Sequence, residues 1–204
     1  MNPTKLEELL NISLKASFNN IYALCDYETL NKKDISLEQF VKICKNKSVK
    51  LIQYRDKINS DNIQIQNIKY LKSKLEMPII INDKLNLIEY ADGLHLGQED
   101  FHKVHKNKKI AIKLIRSKIK DKLLGLSTHN EVEILQANEL ELDMIGLGAY
   151  KATNTKDVST VLGDKISYLA KMSIHPVCAI GSVKCDDNIE NIHFNVVGSG
   201  LYED

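Results

Sequence analysis

Eight times along the chain a short apolar run, apolar on both faces of an extended strand, stops at a polar residue or a glycine. The runs are Ile21 to Asp26, Leu51 to Asp56, Pro78 to Asp83, Gly93 to Gly97, Leu123 to Ser127, Met144 to Gly148, Pro176 to Gly181 and Asn195 to Gly200. Helix-period segments separate them, at Leu37 to Lys45, Ile63 to Leu75, Glu131 to Leu140 and Asp157 to Met172, and an amphipathic segment around Pro3 to Phe18 precedes the first run. Strands alternating with helices mean βαβ units and a parallel sheet. Strands apolar on both faces need cover on both sides, and eight of them favour closure into a (β/α)8 TIM barrel over an open sheet. At 204 residues the chain sits near the lower limit of that fold, roughly 200 residues. The expectation is one α/β domain over residues 1–204, with an extra N-terminal helix, short loops and a last helix that is missing or very short.

The run ends locate the site before any chemistry is named. They carry Asp26, Arg55-Asp56, Asn82-Asp83, Gln98, Ser127-Thr128, Gly148, Gly181 and Ser199. In barrels the loops at the C-terminal ends of the strands converge on one mouth, so these groups are expected to face each other there.

Composition narrows the partners. With 43% hydrophobic and 27% charged residues and a net charge of +1, nothing favours nucleic acid or a membrane surface as the main partner. Self-association is left open. The first twenty residues contain Glu8 and Lys15 and no long apolar core, so they are not expected to act as a secretory signal. No run approaches the roughly 18 apolar residues of a spanning helix, so the protein reads as cytoplasmic. The four cysteines have no metal-like or framework-like spacing and are expected to be free thiols. His102 to Lys122 holds nine lysines and arginines against one acid. Apolar residues at Ile110, Ile112, Leu114, Ile115 and Ile119 make it a solvated helix face rather than a polyanion site.

Asp83 and Asp100 are the first candidates for chemistry. On adjacent strands about 4.8 Å apart, their carboxylates would share one cation. Mg2+ suits such a pair, since it takes few carboxylates and bridges to substrate phosphates. The alternative is that they cap the helices that follow, Asp83 before Lys84 to Tyr90 in particular. Arg55 and Lys57 leave the second run together, and Lys156 follows the sixth. Three cations beside a metal suit a pyrophosphate, although each singly reads as a surface ion pair, Arg55 with Asp26 for instance. Gly181-Ser182 and Gly198-Ser199-Gly200 occupy the loops where barrels build a phosphate site from backbone N–H groups. Ser127 and His129 follow the fifth run, placed to donate to an oxyanion or move a proton. The sequence has no G-x-S-x-G, H-E-x-x-H, Walker or dinucleotide-binding motif. The constellation is electrostatic, built to stabilise a leaving group.

The ordered motifs Q-Y-R-D-K (Gln53 to Lys57), I-N-D (Ile81 to Asp83), A-D-G-L-H-L-G-Q-E-D (Ala91 to Asp100) and G-L-S-T-H (Gly125 to His129) resemble the thiamine phosphate synthase family. So do G-L-G-A-Y-K-A-T-N-T-K (Gly146 to Lys156), A-I-G-S-V (Ala179 to Val183) and V-V-G-S-G (Val196 to Gly200). The resemblance implies a (β/α)8 barrel that joins a hydroxymethylpyrimidine diphosphate to a thiazole phosphate, giving thiamine phosphate and pyrophosphate. By that resemblance Gln53, Arg55, Lys57, Asn82, Ser127 and Lys156 bind the pyrimidine diphosphate, and Arg55, Lys57, Ser127 and Lys156 assist catalysis. Asp83 and Asp100 hold Mg2+ on the pyrophosphate. Thr153 and Thr155 contact the thiazole, and Gly198-Ser199 takes its phosphate with the loop at Ser182. The superfamily also contains thiazole tautomerases, in which His129 would carry the proton. A non-catalytic relative binding a thiazole or thiamine phosphate is the third reading. The chain departs from the family's usual G-P-[IV]-[FY]-P-T-x-T-K at Ala149, Lys151 and Ala152, and from its usual I-G-G-I at Ser182.

Overall fold

The computed structural model describes residues 4–15, 17–152 and 161–203. Its strands are β1 (Asn20–Asp26), β2 (Leu51–Arg55), β3 (Ile79–Asn82), β4 (Gly93–Leu96), β5 (Leu123–Thr128), β6 (Met144–Leu147), β7 (Val177–Ala179) and β8 (Phe194–Val197). They pair in sequence order, all parallel, and β8 returns to β1 to close the barrel. The sheet has no edge left to protect, which is the outcome that eight doubly apolar runs called for.

Alternation along each strand separates two cores. Ile52 and Tyr54 of β2 point outward into the layer shared with the helices. Leu51 points inward to a second cluster with Tyr22, Ile80, Leu123, Met144 and Phe194. All of these inward residues lie toward the N-terminal ends of their strands. Leu6 and Leu14, from the chain before β1, join them and plug that end of the barrel. Farther along the same inward rows, Gln53 and His95 replace aliphatic residues and remain buried, at 4% and 7% exposure. The interior therefore turns polar only toward the mouth.

Helix α1 (Lys5–Leu10) precedes β1, and those between strands are α2 (Tyr27–Lys32), α3 (Leu37–Asn46), α4 (Asp61–Lys74), α5 (Gln98–Val104), α6 (Lys108–Ile119), α7 (Glu131–Ala137) and α8 (Lys165–Ala170). Side-chain caps fix several starts. Ser36 accepts from Gln39 N at 3.1 Å and Asn130 from Glu133 N at 3.0 Å. The opening helix is shorter than its pattern suggested, because Asn11 enters the left-handed region at φ 50° and its N–H turns back onto the Glu7 and Glu8 carbonyls. Between β3 and β4 a 3-10 helix, Leu85–Tyr90, stands in for a full α-helix. After β8 the described residues form a 3-10 turn, Ser199–Tyr202.

In the basic stretch, α6 buries Ala111, Ile112, Ile115 and Ile119, while Lys109, Lys113 and Lys118 face solvent. Ile110 and Leu114, counted in its apolar thread, lie on the outer side at 45% and 44% exposure. The cysteines are free thiols, with Cys25, Cys44 and Cys178 buried and Cys185 half-buried. Among the described residues no helix is long and apolar enough to cross a membrane.

Candidate active site

One pocket opens at the C-terminal ends of the strands, and the expected residues gather around it. Gln53, Arg55, Lys57, Asn82, Asp83 and Ser127 line one side. Ser182, Gly198 and Ser199 line the other, and Leu24, Ile180 and Val196 add apolar surface to the lining. Thr153, Thr155 and Lys156 lie outside the described residues.

Strand parity explains the first side. Gln53 and Arg55 share the inward row of Leu51. The Gln53 amide donates to the Tyr22 hydroxyl at 3.3 Å, which seats it in the floor. Arg55 is held by the buried carboxylate of Asp26, and Glu28 lies 3.7 Å away. The ion pair weighed as an alternative for Arg55 is thus present, within the pocket wall. A guanidinium with five donors serves a carboxylate on one edge and keeps others for a ligand. Asp56, next in sequence, belongs elsewhere: it accepts from the Tyr54 hydroxyl at 2.8 Å and from the N–H groups of Ile58 and Asn59.

Asp83 and Asp100 meet, by a route the sequence did not indicate. Asp83 follows β3 in the left-handed region at φ 61°, and its N–H donates to the His95 carbonyl at 2.9 Å. Asp100 sits in the first turn of α5 rather than at a strand end, and that turn brings it beside Asp83, although it does not itself line the pocket. Asp83 caps no helix, since the 3-10 helix after it has no side-chain cap. Asp100 does cap, accepting from Gly97 N at 3.2 Å, and it also takes the Lys103 ammonium at 2.8 Å.

The two carboxyl groups lie close enough to shift each other's protonation and titrate as a pair. Burial of the Asp83 carboxyl, then the like charge of Asp100, raises its pKa to about 6, although the residue itself stands exposed on the rim. Burial acts upward on Asp100 too, but Lys103, Asp83 and the Gly97 N–H outweigh it and hold its carboxyl below the usual range. The Asn82 amide donates to Asp83 at 2.6 Å, and the Lys57 charge also favours the ionised form. Two facing carboxylates that resist joint ionisation are a hard-oxygen donor set for a divalent cation. Among the described residues no group of three or more His, Cys, Asp or Glu forms a closed metal cage. Two carboxylates are the kind of donor set that a Mg2+ ion would take, since that ion keeps waters and shares its coordination with phosphates.

Ser127 projects from the inward row of β5. Its hydroxyl lies 3.0 Å from His95 Nε2, and its carbonyl accepts from Gln98 Nε2 at 2.7 Å. His95 and Gln98 stand inside a motif quoted above, yet neither had been given a role. The available signal was parity: a histidine on the inward row of an otherwise apolar strand must face the interior. His129 lies at the pocket edge, where Glu133 Oε2 accepts from its backbone N–H at 2.9 Å and meets its Nδ1 at 2.8 Å.

On the far side the loops after β6 and β7 run together. Tyr150 N donates to Ile180 O at 2.8 Å and Lys151 N to Gly181 O at 3.0 Å. The Lys151 ammonium reaches both carboxylate oxygens of Asp187 at 3.3 Å. Ser182, at φ 48°, turns its hydroxyl onto the Ala152 carbonyl.

Comparison with known proteins bears on the family and the fold. Residues 21–199 match the family described as thiamine monophosphate synthase. A thiamine-phosphate synthase of Persephonella marina is 31% identical over 172 residues, covering 80% of this chain and 77% of the relative. One from Alkaliphilus oremlandii is 32% identical over 182 residues, covering 84% and 80%. Among solved structures, a thiamine phosphate pyrophosphorylase from Pyrococcus furiosus superposes with a TM-score of 0.66 at 18% identity, covering 89% of this chain and 87% of that one. A geranylgeranylglyceryl phosphate synthase from Thermoplasma acidophilum gives 0.64 at 11% identity, covering 100% and 93%, a likeness of fold alone.

Proposed function

The chain belongs to the thiamine monophosphate synthase family and is a transferase of that kind, and on that premise we propose that it joins hydroxymethylpyrimidine diphosphate to a thiazole phosphate with Mg2+. The observation that carries the reading is the facing pair Asp83–Asp100 with Lys57 and Arg55 beside it. That side of the mouth is arranged to gather a pyrophosphate. Asp83 and Asp100 would hold Mg2+, which would supply charge neutralisation on the diphosphate and so improve it as a leaving group.

The chain's own residues do the rest. Arg55 and Lys57 bind diphosphate oxygens, and Lys156 adds a third cation. Gln53, Asn82 and Ser127 hold the pyrimidine so that its methylene points across the pocket. The C–O bond to the diphosphate breaks, its electron pair leaves with pyrophosphate, and the methylene becomes cationic. The thiazole nitrogen then supplies the pair for the new C–N bond. Thr153 and Thr155 orient the thiazole, while Gly198, Ser199 and the Ser182 loop receive its phosphate. Leu24, Ile180 and Val196 restrict water around the cationic carbon. Such a step needs charge stabilisation and alignment, which the pocket offers, rather than a protein nucleophile.

The test is pyrophosphate release and thiamine phosphate formation by purified protein given both substrates and Mg2+. The reading requires both products together and their loss in chelator. A folded protein that yields neither overturns it.

A further inference from the structure

The pocket floor contains a contact that the synthase reading does not use. His95 occupies an inward position on β4, where the register sets it beside Gly125 of β5, and Ser127 beside Gly146 of β6. Both glycines make room for its ring. A Cβ on Gly125 would lie 2.5 Å from His95 Nδ1, and one on Gly146 would lie 3.2 Å from Cε1. Two strands thus give up their side chains so that one imidazole can lie across them, with Nε2 3.0 Å from Ser127 Oγ.

Ser127 is gripped at its other end as well. Gln98 holds its carbonyl at 2.7 Å, and the Lys108 ammonium holds the Gln98 amide oxygen at 2.8 Å. A serine hydroxyl rotates freely unless a partner fixes it, and a substrate would otherwise have to supply that ordering. Here β4 and the first residue of α5 fix both polar groups of one residue on β5.

We propose that His95 is a positioning residue, which presets the Ser127 hydroxyl toward the reacting substrate and acts on the reaction through Ser127. The proposal rests on the synthase reading for the reaction it serves. The hydroxyl enters the reaction already ordered, so its contribution grows as charge develops on the substrate and appears in kcat more than in binding. The two glycines exist for the same purpose. Filling Gly125 pushes the ring off its line to Ser127 while leaving the imidazole chemistry intact.

The test is a double-mutant cycle in the full-length protein, with thermal melts to show that each variant folds. His95→Leu fills the space without a polar atom and should lower kcat about ten- to hundredfold, with KM for the pyrimidine diphosphate changed less than about threefold. His95→Gln, which places a polar atom near Nε2, should recover most of that loss. Gly125→Ala should reproduce the kcat defect of His95→Leu. In a Ser127→Ala background His95→Leu should cost no more than about twofold. Fully additive losses, or a rise in KM at unchanged kcat, overturn the proposal.

A readout independent of turnover separates this from failure of the synthase reading. The ring 15N resonances of His95 in the wild-type protein should shift on Ser127→Ala. If they shift and the wild type makes no thiamine phosphate, the synthase reading fails and the pairing stands. If they do not shift, the pairing is overturned whatever the activity.

Discussion

Ser182 Oγ donates to the Ala152 carbonyl at 2.5 Å, tying the loop after β7 to the loop after β6. Both residues replace members of the family's usual pattern, a glycine and a proline. A third replacement, Lys151, reinforces the tie through Asp187. Side-chain contacts between the loops here take over part of the stiffening that prolines supply through fixed φ angles. With its proton committed to Ala152, the Ser182 hydroxyl has none to give a phosphate.

Substituting Ser182 separates crowding from clamping. Ser182→Gly removes a left-handed penalty of about 1 kcal/mol and a hydrogen bond of similar worth, so the melting temperature should move by less than about 4 °C. The loosened loops should raise KM for the thiazole phosphate about three- to tenfold at unchanged kcat. Steady-state kinetics with the thiazole phosphate varied decides it, and a lower KM would mean that the serine crowds the phosphate instead.

The Asp83–Asp100 pair makes the cation response depend on pH. Asp83 has its pKa raised to about 6 in the folded chain, above the unfolded value of about 3.9. Its contribution to stability is therefore fully present below about pH 4 and is lost as pH rises through about 6. On the proposed reading, Mg2+ would bind the folded, ionised pair and offset that loss. At ten times its dissociation constant it should raise the melting temperature by about 3–5 °C at about pH 7.5, and by far less at about pH 4.5. Asp83→Asn, which tolerates the left-handed backbone, should abolish both the Mg2+ shift and turnover. A shift of equal size in that variant would place the cation elsewhere.

How much of this was readable in advance depends on how local each signal is. The strands were legible because each is apolar on both faces and ends in polar residues, and the observed bounds differ by at most three positions. Asp100 was misplaced because its value comes from the first turn of α5, and a helix turn redirects a side chain in ways that strand spacing does not show. Arg55 was read with Asp26 as one option and with a ligand as another. The structure shows the Asp26 contact inside the pocket wall, a relation fixed by the parallel register of β1 and β2. The role of His95 is not legible along the sequence, since nothing there says that Gly125 and Gly146 lie against its ring. Parity tells which way a side chain faces, and pairing between distant segments tells what it meets.

The Arg55–Asp26 contact should govern the diphosphate side. Asp26 Oδ1 caps α2 by accepting from Thr29 N at 2.8 Å, while its other oxygen holds Arg55. Asp26→Asn preserves a good cap but weakens the grip on the guanidinium. KM for the pyrimidine diphosphate should rise about three- to tenfold, with stability lower by about 1 kcal/mol. Arg55→Lys loses the planar fork that serves Asp26 and ligand together, and should cost about a hundredfold in kcat/KM. Equal effects of the two substitutions would show that Arg55 acts only on Asp26.

Asp56 adjoins Arg55 at the end of the same run, yet it should behave as a structural residue. Its carboxylate accepts four hydrogen bonds, from the Tyr54 hydroxyl, the Asn59 amide and the N–H groups of Ile58 and Asn59. Burial pushes its pKa up, but these donors outweigh burial and hold it below the ordinary carboxylate range. A lowered folded pKa contributes stability that is present above the unfolded value, about 3.9, and lost as pH falls through the folded one. Asp56→Ala withdraws the acceptor from the buried Tyr54 hydroxyl and should cost about 2–4 kcal/mol, seen as a melting temperature lower by about 5–10 °C. That deficit should narrow below about pH 4, where the wild-type carboxylate begins to be protonated too. Turnover well below the melting range should stay within about twofold of wild type, because the side chain faces the loop before α4 and not the pocket. If kcat collapsed while the melting temperature held, Asp56 would have to be moved into the mouth with its neighbour.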